Sequence, residues 1–227
     1  MKRLLVFLAL ALLSIGVASA SLIPCTISGT AFSAAVSNAT VVTCGTLTFD
    51  NFQVLNATPG AGPVEVLAGS TFNTSTGTAN VQFDPLLSGT ADEELLFQVW
   101  GGISQIDMSV GGSNATVMER ACANPIATTG ALAFLCTNPA GTTNVAPLGQ
   151  ITVASGTTGQ PVFSPQFAIT SPVYIFKNIN TSTVGNVPGQ LTEFTQSFET
   201  VPEPVTMGLL GSGLLGLGLL RRRSRKN

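Results

Sequence analysis

The sequence predicts an all-β body, a single antiparallel β-sandwich domain, set between an N-terminal signal peptide and a C-terminal transmembrane helix. Three observations predict it. Short apolar runs alternate with Thr, Ser, Gln and Asp at period two, and no stretch holds a helical period across three turns. Gly- and Pro-containing clusters punctuate those runs. The apolar segments too long to be strands stand only at the two ends, each beside basic residues. The chain has 227 residues, 44% hydrophobic and 9% charged, and contains no His. Without His there is no Ser-His-Asp or Cys-His machinery and no imidazole metal ligand.

The first element is the leader. Met1-Lys2-Arg3, the apolar run from Leu4 to Val17 and the small residues Ala18-Ser19-Ala20 have the three regions of a secretory signal peptide covering residues 1–20, with cleavage expected between Ala20 and Ser21. Its partner would be the Sec export machinery.

The body, residues 21–200, is long enough for one core. Alternation is clearest in Thr46–Phe49, Phe52–Val54 and Ile106–Val110, where apolar residues line one face and polar ones the other. Further strands are expected at Ala79–Phe83, Glu94–Trp100, Thr116–Arg120, Leu132–Cys136, Gln150–Ala154, Pro172–Lys177 and Glu193–Phe198. Breaks are expected at Thr58–Pro63, Gly101-Gly102, Gly111-Gly112 and Asn138–Gly141. Strands at this spacing without intervening helices argue an antiparallel sandwich, and no fixed-period repeat supports a solenoid.

Four cysteines in an exported chain point to disulfides. Of the three pairings, Cys25–Cys44 and Cys122–Cys136 close the short local loops a hairpin would leave. A metal site has little to recommend it, with no C-x-x-C pair and no His. No cofactor is expected.

Charge is partitioned along the chain. The body holds ten acids against Arg120 and Lys177 alone, a net of −8, and such a body repels nucleic acid and anionic membrane. Asp92-Glu93-Glu94, with Asp84 or Asp107, has the oxygen chemistry for a hard cation, but a solvated turn is the simpler reading. Trp100 and Tyr174 are the only Trp and Tyr, and the thirteen Phe are expected in the core. Lys177 has no Ser motif to partner it and reads as a surface strand lysine. The sequons at Asn38, Asn56, Asn73, Asn114 and Asn180 reflect a Thr/Asn-rich surface. No constellation for catalysis emerges, so the body is not expected to be an enzyme.

The last element is the tail, residues 201–227. Val201-Pro202-Glu203-Pro204 cannot enter a helix interior and favours an extended strip. Residues 205–220 are sixteen uncharged positions, rich in Gly and Leu. As a helix they would reach about 24 Å against a hydrocarbon core of about 30 Å, a marginal span. Arg221, Arg222, Arg223, Arg225 and Lys226 form a basic stop in the 221–227 tail, which stays cytoplasmic while the leader sends the body across. Gly211 to Gly216 formally matches G-x-G-x-x-G, but no strand precedes it. Gly208, Ser212 and Gly216 instead form a small-residue face suited to close helix approach.

A Pro-Glu-Pro triad, a short Gly/Leu helix and a terminal basic cluster, in that order, resemble the PEP-CTERM protein-sorting signal of exopolysaccharide-producing bacteria. The same tail also goes by the name of an ice-binding protein C-terminal domain. The resemblance implies an exosortase as processing partner, cleavage near the triad, and a body held in the cytoplasmic membrane by its C-terminal helix before passing to the cell surface or exterior. The simpler alternative is a permanent bitopic anchor. In the body, Cys44–Phe52, Met118–Cys122 with Cys136, Val173–Ile179 and Gln196–Phe198 resemble a group of acidobacterial-type exported PEP-CTERM proteins, and no activity comes with that resemblance. The expected role is structural or adhesive and linked to extracellular polysaccharide. The alternative is an exported carbohydrate- or calcium-binding module.

Overall fold

The computed structural model describes residues 21–28, 34–55 and 63–200. Among these the chain is all β: β1 (Leu22–Pro24), β2 (Thr26–Ser28), β3 (Ala34–Ala35), β4 (Val41–Cys44), β5 (Leu47–Leu55), β6 (Glu65–Val66), β7 (Thr71–Asn73), β8 (Thr78–Asp84), β9 (Leu87–Ser88), β10 (Ala91–Trp100), β11 (Gln105–Ser113), β12 (Ala115–Cys122), β13 (Gly149–Ala154), β14 (Val162–Phe163), β15 (Val173–Thr181) and β16 (Gln190–Glu199). They make two antiparallel sheets packed as a sandwich. The first runs β1-β7-β8-β16-β11-β14, with β6 also beside β8, β3 beside β6 and β9 beside β16. The second runs β13-β12-β15-β10-β5-β4-β2. Among the described residues no helix is long and apolar enough to cross a membrane. The leader, the Pro-Glu-Pro strip, residues 205–220 and the basic cluster lie outside the described residues.

Alternation builds the core. In β8, Ala79, Val81 and Phe83 are buried while the residues between them are half-buried; β13 alternates buried and exposed from Gly149 to Ala154. Phe83 and Phe198 from the first sheet meet Phe49, Phe52 and Phe97 from the second, and Phe194 packs beside Phe83 within the first. Phe83 stacks on Phe194 at 5.0 Å, Phe52 on Phe97 at 5.3 Å, and Phe49 meets Phe198 edge-on at 4.9 Å. These rings join the two inner faces through contacts with specific geometry as well as buried area.

Both disulfides form where the backbone leaves a ladder. Cys25 sits between β1 in one sheet and β2 in the other, and its bond to Cys44 on β4 ties that crossover to the second sheet, with Cα atoms 4.4 Å apart. Cys122 ends β12 and bonds Cys136, with Cα atoms 5.2 Å apart.

Two local expectations are corrected. Leu132–Cys136 is a run of turns and not a strand. Phe134 adopts φ 60° and stacks on Phe176 at 5.0 Å, so this apolar segment covers the outer face of the second sheet instead of pairing along an edge. Gly111-Gly112 is not a break but a bulge within β11, where the register to β16 shifts. Gly112 has φ 113°, and a Cβ there would collide with the Gln190 carbonyl. The turn itself falls at Asn114, at φ 49°.

Candidate functional site

The two ends of the body meet at one place. Ser21 donates its N–H to Thr74 Oγ1 at 3.3 Å and accepts from the Thr74 N–H at 3.2 Å. At the other end Thr200, just past β16, donates to the Gly77 carbonyl from its N–H at 3.0 Å and from its hydroxyl at 2.7 Å. Thr74 and Gly77 belong to the single turn joining β7 to β8, closed by the Gly77 N–H on the Asn73 carbonyl at 2.9 Å. The Asn73 side chain accepts from Ser75 N–H at 3.0 Å and from Ser75 Oγ at 2.7 Å, which stiffens the turn from within. Gly77 holds φ 69°, and a Cβ there would run into the Thr200 hydroxyl, so only glycine lets the strand end close on this turn. Residues adjoining the expected Ala20-Ser21 cleavage point and residues adjoining Val201-Pro202-Glu203-Pro204 therefore share one pole of the sandwich.

A second cluster occupies the interior. Lys177 on β15 is fully buried and its Nζ lies 2.9 Å from Glu119 Oε2 on the neighbouring strand β12. The ammonium is also 3.6 Å from Met108 Sδ and 4.8 Å from the centre of the Phe194 ring. Gln196, on β16 of the facing sheet, donates from Nε2 to Glu119 Oε1, while its own Oε1 has no partner. Burial pulls the Lys177 amine down and pushes the Glu119 carboxyl up, in spite of their attraction. The surface placement expected for Lys177 is thus wrong. It shares the inward face of β15 with Val173, Ile175 and Ile179, because those positions are in phase.

The acidic run is likewise not a solvated turn. Asp92, Glu93 and Glu94 lie inside β10, a strand flanked by β15 and β5. Glu93 points inward between Ala91 and Leu95, and neither of its oxygens has a hydrogen-bond partner. Burial first, and Glu94 second, raise its carboxyl to about 7. Asp84 and Asp107 belong to strands of the other sheet, so the carboxylates proposed for a cation are not assembled. Among the described residues no group of three or more His, Cys, Asp or Glu is placed to hold a metal ion. Asp107 is also raised, chiefly by burial, although Ser197 hydrogen-bonds it.

The outward face of the second sheet carries the remaining candidates. Trp100 is 42% exposed and its Nε1–H is held 3.1 Å from both Asp50 oxygens. Tyr174 lies opposite Gln98 in the ladder, two residues from Trp100 along β10. A shallow hollow of about 110 Å³ beside Tyr174 is lined by Asn51, Gln53, Gln98, Pro125 and Ile126. That is below the several hundred Å³ of a small-molecule pocket. Arg120, the other cation of the body, lies 5.9 Å over Phe176 and donates to the Phe134 carbonyl, so it supports the covering loop.

Comparison with known proteins adds one finding, which begins at the last described residue. Residues 200–223 match the family model of the PEP-CTERM protein-sorting motif. No curated protein and no solved structure matches the chain. A chain bearing this signal is an exported protein sorted by an exosortase at the membrane.

Proposed function

We propose that this chain is an exported surface protein that loses its signal peptide after Ala20 and is held at the cytoplasmic membrane by its C-terminal helix, body outside, until an exosortase cuts near Pro202 to Pro204. The body then serves as a structural or adhesive component of an extracellular polysaccharide matrix. The observation that carries this reading is the sorting motif at residues 200–223. The pole shared by Ser21 and Thr200 supports it, because both membrane-directed segments attach at one end of the sandwich. Intact-mass measurement of the mature protein tests it. The expected mass lacks residues 205–227, and Pro202→Ala with Pro204→Ala retains them. A mature wild-type mass that includes residues 205–227 refutes processing and leaves a permanent anchor.

One observation favours a second reading, carbohydrate binding by the body. Trp100 and Tyr174 project from the same face as Gln98, Gln53 and Asp50, a partly aromatic, amide-rich surface. Polysaccharide binding that is lost in Trp100→Ala would support it, and silence across a glycan array would refute it.

A further inference from the structure

We propose that Lys177 and Gln196 become joined by an isopeptide bond inside the folded sandwich, with Glu119 as the proton carrier. The three side chains are each fully buried, and they form one chain of contacts: amine on one oxygen of the Glu119 carboxyl, carboxamide nitrogen on the other. They come from three strands that ordinary packing would fill with apolar residues. Lys177 stands in phase with Ile175 and Ile179, Glu119 with Val117 and Ala121, and Gln196 with Phe194 and Phe198.

As an ion pair alone the arrangement is costly. Removing both charges from water offsets much of their attraction, and the Gln196 carbonyl oxygen is left unmet in an apolar core. As reactants the same groups are well disposed. A proton moved from Lys177 to Glu119 leaves a neutral amine, which is a nucleophile, and a neutral carboxylic acid, which is a donor. Burial favours both neutral forms. Half a turn of the carboxamide about its terminal bond sets the unpartnered Gln196 Oε1 on the Glu119 carboxyl, whose proton then polarises the carbonyl.

The step balances without a co-reactant. Lys177 Nζ forms a bond to Gln196 Cδ and the Cδ–Nε2 bond breaks. One Nζ proton passes through Glu119 to Nε2, which leaves as ammonia, and Glu119 is regenerated. Nothing is oxidised or reduced. The attack is intramolecular and shielded from water, and it requires the amine to close from its place on Glu119 Oε2 onto Gln196 Cδ, whose nitrogen sits on the other oxygen of the same carboxyl; proximity of that kind, once reached, is worth effective concentrations of about 10⁵–10⁸ M. The product joins β15 of one sheet to β16 of the other, whereas both disulfides end on strands of the second sheet.

Mass spectrometry of the exported protein, reduced, alkylated and unfolded, tests the bond directly. Arg120 and Lys177 are the only tryptic sites between Ser21 and Thr200. A cross-linked Lys177 is an amide and resists trypsin. The expected result is a single fragment running from Ala121 through Lys177 and beyond, lighter than its sequence by about 17 Da for lost ammonia. Free cleavage after Lys177 with no loss of mass overturns the proposal. So does a fragment that carries residues up to Arg120 attached to it with a loss of about 18 Da, which would be water from a Lys177–Glu119 amide joining the two tryptic pieces. Glu119→Gln is expected to restore cleavage after Lys177. If that variant keeps the loss, Glu119 is not the proton carrier; if it does not fold, the wild-type fragment still decides whether the bond exists.

Discussion

Replacing Glu93 by Gln should change how the stability of this protein depends on pH. The Glu93 carboxyl faces the core between Ala91 and Leu95, opposite Ile179 on β15, and neither oxygen is hydrogen-bonded. Its folded-state value is raised from the ordinary 4.5 to about 7. A carboxyl raised on folding binds its proton more tightly in the native state. Its contribution is fully present below about pH 4.5 and is lost as pH climbs through about 7. At about 1.4 kcal/mol per pH unit, ionising this buried group costs the wild type about 3 kcal/mol across that window. Glutamine keeps the shape and cannot ionise. The variant should match the wild type within about 1 kcal/mol at pH 5 and exceed it by about 2–3 kcal/mol at pH 8. Urea unfolding at pH 5, 6, 7 and 8 measures both curves, and taking their difference cancels the raised carboxyls of Asp107 and Glu119. Parallel curves would refute the reasoning, because they would mean that Glu93 ionises at the same pH in the folded and unfolded chain.

Phe97→Ala should cost about 3–5 kcal/mol in the same assay, since Phe97 is 2% exposed and faces the rings of Phe49, Phe52, Phe83 and Phe198. A loss under about 1 kcal/mol would show that the ring cluster repacks around the gap. The double replacement Cys122→Ser with Cys136→Ser opens a loop of sequence separation 14 and should cost about 3 kcal/mol. Hydrogen exchange should then localise the loss to the cover formed by Phe134 on Phe176; uniform loss of protection would contradict that placement.

Much of the sandwich is legible in the sequence as period-two alternation, and so is its polar interior. Val-Tyr-Ile-Phe-Lys-Asn-Ile from Val173 to Ile179 places Lys177 in phase with three apolar residues. Chemical type alone suggested an exposed lysine, and phase was the stronger signal. Glu119 between Val117 and Ala121, and Gln196 between Phe194 and Phe198, carry the same mark. What alternation could not show was that these three side chains meet, since that depends on which strands neighbour or face one another. Leu132–Cys136 misled for the opposite reason: its apolar residues cover a sheet from outside, and a covering loop needs no ladder. The shared pole of Ser21 and Thr200 rests on pairing between segments far apart in the chain, which no local pattern reports.

The hydrogen bonds of Thr200 to the β7–β8 turn have a mechanical consequence. β16 lies between β8 and β11, antiparallel to both, and its last residues run directly toward the tail. A pull on the tail along that strand loads two ladders in shear, so their hydrogen bonds bear the force together and do not unzip one at a time. A body built this way would be hardest to extract from the end by which it is tethered.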